Sequence, residues 1–191
     1  MKNKICIALF LAGLAALASR AAPAEADSGV SPAENERMMK MIRGDLSVTT
    51  NELERFYALD NAARNAYAAG KKDDARKLAQ ELESLAPKYK TDWNFGNAVQ
   101  DSNQVLGLLA LDDGDAAEAK KRLLASAGSK GSPQMNSFGP NFDLAKKLLR
   151  KGGTETVIEY FGLCRKFWKM DRGQLDEWTA TIKGGGIPKG F

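Results

Sequence analysis

From residue 49 onward the apolar positions recur three and four apart, the spacing of one face of an α-helix. Leu53, Phe56, Leu59, Ala63, Ala66 and Tyr67 make one such face, and Gly70 ends it. Ala75, Leu78, Ala79, Leu82, Leu85 and Ala86 make the next, closed by Pro87. A helix over about 93–112 carries Phe95, Val99, Leu106, Leu109 and Leu111. The turn Asp112-Asp113-Gly114 leads into a helix on Ala116, Ala119, Leu123, Leu124 and Ala127. A third pair follows, on Phe142, Ala145, Leu148 and Leu149, then past Gly152-Gly153 on Val157, Ile158, Phe161, Cys164 and Trp168. A short helix over about 33–43 precedes Gly44, and a last one on Leu175, Trp178 and Ile182 runs into Gly184-Gly185-Gly186 and a tail expected to be loose. No segment alternates strictly, so no sheet is predicted. The pattern reads as an all-α fold of antiparallel helical hairpins, at about 49–87, 93–128 and 140–168, stacked as a short array. Thr49 with Glu52 and Asp115 with Glu118 have the spacing of capping pairs, Thr154 is a further cap, and Pro32 and Pro140 suit first turns.

The start of the chain has a different character. Lys2 and Lys4 precede an apolar run from Ile5 to Ala18, and small residues at 22–26 supply cleavage sites. This is the pattern of a secretory signal peptide over 1–26, and the run is too short to span a bilayer. The expected location is periplasmic or secreted, with cleavage near residues 24–26. Residues 27–48 read as a flexible lead-in with its short helix, 49–168 as the helical domain, and 169–191 as a short helix and tail.

The hairpins repeat. Superposing Gly70, Gly114 and Gly153 puts NAYAAGKKDDARKLAQEL beside GLLALDDGDAAEAKKRLL, with Ala66 and Ala110 four before the glycine and Ala75 and Ala119 five after it. This resembles the tetratricopeptide repeat, whose signature sets Leu-Gly and Ala in the first helix, Ala in the second, and a closing Pro. Leu106-Gly107 matches the Leu-Gly pair and Pro87 the closing proline. The chain departs from the family in spacing, 44 and then 39 residues between the aligned glycines instead of 34, and in Lys146 and Ile158 where small residues belong. The resemblance covers 56–131 well and 139–168 weakly. It implies a degenerate helical repeat whose small residues, among them Gly107 and Ala119, let paired helices approach closely.

Charge and chemistry narrow the function. Without residues 1–26, three Lys/Arg and one Asp/Glu leave the count, so 28 against 24 becomes 25 against 23 and the net charge falls from +4 to +2. The charges are mixed along the chain, without the basic stripe of a nucleic-acid binder. The chain has no histidine, which removes imidazole bases, Ser-His and Cys-His nucleophiles and His-bound zinc. After residue 26 Cys164 is the single cysteine, and it falls on an apolar face, as a buried inert thiol would. Asp112, Asp113, Asp115 and Glu118 lack EF-hand spacing and suit a turn and a cap. No catalytic residues, metal ligands or cofactors are assigned.

What remains is binding. The resemblance implies a concave face lined by the first helix of each hairpin; by position this is Tyr57, Asp60, Arg64 and Tyr67, then Asp101 and Gln104, then Asp143, Lys147 and Arg150. The partner expected there is a protein or peptide. The 131–142 stretch, GSPQMNSFGPNF, is long for a hairpin connector, and Gln134, Asn136 and Asn141 are its contact candidates. It reads either as a binding loop or as the seam between the second and third hairpins, with Phe138 and Phe142 tucked in. Two other functions stay open: an enzyme with a carboxylate or backbone site near this loop, and a structural subunit with an apolar patch around Phe167, Trp168 and Trp178. Oligomeric state stays open as well.

Overall fold

The computed structural model describes residues 30–191; the proposed signal peptide at 1–26 lies outside the described residues. Residues 32–191 form one compact unit, and among the described residues every regular element is helical. The elements are α1 (Pro32–Ile42), α2 (Glu52–Ala68), α3 (Lys72–Leu85), α4 (Phe95–Asp112), α5 (Ala116–Ser126), α6 (Pro133–Phe138), α7 (Asp143–Arg150), α8 (Thr154–Cys164) and α9 (Gln174–Lys183), with 3₁₀ turns at Leu46–Val48 and Ala86–Tyr89. The three expected hairpins are α2/α3, α4/α5 and α7/α8. Each packs on the next, and α4 touches α2, α3, α5 and α7.

The first helix of every hairpin ends by the same device. Gly70, Gly114 and Gly152 adopt φ of +73°, +88° and +82°. The following N–H groups, of Lys71, Asp115 and Gly153, donate to carbonyls five residues back, at Ala66, Ala110 and Leu148. That is the Schellman turn, which a residue with a side chain adopts only under strain. The third unit is therefore registered on Gly152 and not Gly153. This correction puts Ala145 where Gly107 and Ala63 stand, seven before the glycine, and Val157 where Ala119 and Ala75 stand, five after it. Ala63, Ala75, Ala119, Ala145 and Val157 are all fully buried. A side chain on Gly107 would collide with Leu144 of α7 and lie 2.9 Å from Cβ of Arg122 on α5.

Several local expectations change. The α2 cap is Asn51, whose side chain accepts from Glu54 N at 3.0 Å while Glu54 accepts from Thr50 N at 2.8 Å. Thr49 and Glu52 do not form the box, because Glu52 reaches Lys88 and Tyr89 instead. Asp115 caps α5 as expected. Thr154 is the first residue of α8, behind Gly153, and makes no cap bond. Pro133, not Pro140, occupies a helix first turn, in the unforeseen α6.

The chain on either side of the hairpins is docked. Arg37 of α1 forks onto Glu54 at 2.9 and 3.0 Å, holding that carboxyl down at about 2. Asn61 and Asn65 of α2 donate to the carbonyls of Ile42, the last residue of α1, and Arg43 just beyond it. At the other end Leu175, Trp178 and Ile182 are buried as predicted. The tail is not loose at its tip: the Phe191 ring sits 5.7, 5.3 and 5.1 Å from those of Phe142, Phe161 and Trp178. Phe167, Trp168 and Trp178 belong to this core and offer no apolar patch.

The packing predicts opposite outcomes at two glycines. Gly107→Val should lower stability by about 2 kcal/mol or more through overpacking against Leu144 and Arg122. Gly162, on the exposed face of α8 with nothing near its absent side chain, should gain about 0.5–1 kcal/mol as Gly162→Ala. Urea melts of the two variants check both signs.

Candidate functional site

The first helices of the three hairpins, α2, α4 and α7, share one side of the array and enclose a groove of about 400 Å³. That size accommodates a small ligand or a few side chains of a peptide. Asn61, Arg64, Asn65, Tyr67 and Ala68 line it from α2; Gln104, Val105 and Leu108 from α4; Asp143, Lys146, Lys147 and Arg150 from α7, with Asn141 just before. Val105 and Leu108 are buried core residues behind the groove, and the charged groups come from the two flanking helices.

Of the residues singled out from the sequence, Arg64, Tyr67, Gln104, Asn141, Lys147 and Arg150 are brought together here, and Asp143 with them. Their freedom differs. Gln104 is buried and joins elements, its Oε1 accepting from Leu144 N at 3.2 Å and its Nε2 donating to Ser126 at 3.1 Å. Asn141 accepts from Asp143 N at 2.8 Å, its own N–H donates to Gln100 at 3.0 Å, and its carbonyl accepts from the buried Tyr160 hydroxyl at 2.8 Å. Tyr67 donates to Asp112 at 2.8 Å, and the Lys147 ammonium bonds its oxygen and lies 5.1 Å from its ring centre. Lys146 is 4.0 Å from Asp143 and Lys147 is 3.6 Å from Asp112. Arg150, exposed at the end of α7, forms no ion pair among the described residues. Among the lining side chains four cations face one carboxylate, Asp143, while Asp101 and Asp112 hold Arg64 and Lys147 from just outside the lining.

The remaining candidates lie elsewhere. Tyr57 is turned to the start of the first hairpin, where it donates to Asp92 at 2.8 Å and packs on Trp93; burial and the Asp92 carboxylate push its hydroxyl up to about 12. Gln134 accepts from Asn97 at 3.3 Å, and Asn136 accepts from Lys169 N at 3.1 Å. The 131–142 stretch is packed closely: side chains on Gly131 and Gly139 would meet Phe167 and Trp168 at 2.8 and 2.7 Å. Phe142 enters the seam within 6.0 Å of Tyr160, whereas Phe138 is 73% exposed and does not.

Asp60 and Asp101 pair beside the groove, between α2 and α4. Asp101 is 6% exposed, its Oδ1 accepts no hydrogen bond, and its cation is Arg64, at 3.7 Å. Burial pushes Asp101 up to about 7, with Arg64 opposing and Asp60 adding to the rise. Burial likewise lifts Asp60 to about 6, against the Asn61 N–H and Arg64. The wider polar run Gln100, Asp101, Ser102, Asn103 and Gln104 is wholly buried, whereas the sequence placed Asp101 and Gln104 on an accessible concave face and singled out none of the other three. The signal was there in composition: polar residues on a helix that is also apolar on its other faces indicate contact all round.

No family model, curated protein or solved structure matches the chain. Among the described residues no group of His, Cys, Asp or Glu is arranged to hold a metal, and no helix is long and apolar enough to cross a membrane.

The raised Asp101 carboxyl gives a signed stability prediction. Its folded value of about 7 lies above the ordinary 3.8, so its stabilising share is full below 3.8 and is lost as pH rises to 7. Asp101→Asn should therefore match or trail the parent near pH 4 and exceed it by about 1 kcal/mol or more near pH 8, in urea melts at both pH values.

Proposed function

We propose that the chain is an exported, tetratricopeptide-like binding module of the bacterial cell envelope whose groove holds an acidic segment of a protein partner. One observation carries this reading: three successive hairpins each contribute their first helix to a single groove, and the cations there outnumber the carboxylates four to one. The repeated Schellman glycines and the small buried residues at Ala63, Gly107 and Ala145 support the repeat reading. The amino-terminal sequence pattern supports export.

The groove can bind without catalysing. Lys146, Lys147, Arg150 and Arg64 offer donors to carboxylates. Charge complementarity of this kind favours fast association and discrimination against basic partners. The polar side chains of the 131–142 stretch already serve neighbouring helices, which supports its role as a seam that fixes α7 beside α4.

Fluorescence anisotropy with a labelled oligoglutamate peptide and its oligolysine counterpart tests the reading. The mature chain should bind the acidic peptide and not the basic one. Lys147→Glu together with Arg150→Glu should weaken binding by about tenfold or more. Equal affinity of the parent and the reversed variant for oligoglutamate defeats the groove assignment.

A further inference from the structure

Arg64 stands between two claims on its charge. Its guanidinium lines the groove, with 48% of the side chain exposed, and it is also the cation set against the buried Asp101. The contact to Asp101 is 3.7 Å, a loose ion pair without hydrogen bonding, and Asp101 Oδ1 has no other partner. An anion in the groove competes for this guanidinium directly. A carboxylate buried beside a second carboxylate holds its proton more tightly once the cation that restrains it is engaged by another anion.

We propose, resting on the groove reading above, that an acidic ligand engaging Arg64 is bound together with a proton, and that Asp101 is the group that takes it up. The proton comes from solvent and adds to a carboxylate oxygen of Asp101; the ligand carboxylate remains ionised against Arg64. Arg64 is thus a specificity residue for anionic groups, and Asp101 sets the pH at which it acts.

The surrounding charges leave this assignment to Asp101. From α2 the facing groups are Asp60 and Arg64, and these are the charges that act on it. On α3, Arg76 pairs with Asp113, and Glu83 with Arg122 of α5, which also holds Glu118. On α7, Lys146 and Lys147 are paired with Asp143 and Asp112, and Arg150 lies at the exposed end of the helix. The 131–142 segment carries no charged residue. Asp60 accepts from the Asn61 N–H, a hydrogen bond that Asp101 Oδ1 lacks, and this holds it lower than Asp101.

Linkage gives the sign: the complex holds more protons than the free chain, so affinity falls as pH rises through the titration of Asp101. Oligoglutamate anisotropy should report binding about sevenfold tighter near pH 6.5 than near pH 9, as follows if the Asp101 midpoint rises by about one pH unit on binding. Asp101→Asn, which fixes the neutral form, should bind near pH 9 as the parent does near pH 6.5 and lose most of the pH dependence. The carbon resonance of the Asp101 carboxyl should show a higher midpoint with peptide bound, and also in Arg64→Gln without peptide. Binding with equal affinity at both pH values, or an unmoved midpoint in the complex, overturns the coupling and leaves the groove intact. Absence of oligoglutamate binding at every pH overturns the groove reading and the coupling with it.

Discussion

Close approach of α4 to its neighbours is the constraint on which the rest of this molecule depends. A helix touched by α2, α3, α5 and α7 must be narrow where they meet it, and Gly107 is where α5 and α7 both press in. The same position in the flanking units is alanine, at Ala63 and Ala145, so the first helices lie side by side. Their shared side becomes the groove. Larger residues at these points would force the helices apart and separate the cations of α2 from those of α7. The binding surface is thus a product of the packing, and the residues that shape it are not the ones that line it.

The hairpins were legible because they follow from local rules. Apolar spacing placed α2, α3, α4, α5, α7, α8 and α9 within a few residues of their observed bounds, and turn glycines marked the breaks. Where two glycines adjoin, the rule is ambiguous: only the positive φ of Gly152 selects it over Gly153, and that one residue hid the small-residue match of the third unit. The α2 cap failed for a related reason, since Thr49, Thr50 and Asn51 are all competent caps and the choice fell to the Arg37–Glu54 clamp from α1. α6 and the docking of Phe191 were not legible, as both rest on contacts between residues far apart in the chain.

The groove was partly legible. Helical position along α2, α4 and α7 brought Arg64, Tyr67, Gln104, Lys147 and Arg150 together, and missed Lys146, whose long side chain reaches the same space. Helical phase says which way a residue points but not how deeply it is covered. Asp60 and Asp101 share the phase of the groove residues, yet Asp101 is buried with Asp60 half-buried beside it, and both carry raised carboxyls. Burial of a charge is a tertiary fact, and its chemical consequence follows from the environment and not from the residue type.

Apart from the Lys147–Tyr67 contact across the groove, each hairpin packs on its neighbours, so a chain of this kind can come apart from either end. Its three tryptophans happen to mark both ends: Trp93 lies on Tyr57 at the first hairpin, while Trp168 and Trp178 sit 6.5 Å apart in the aromatic cluster beneath the last. Trp93 is partly exposed and the other two are buried, which separates their emission. The molecule therefore carries its own optical reporters of whether it melts as a single body or frays one terminus before the other.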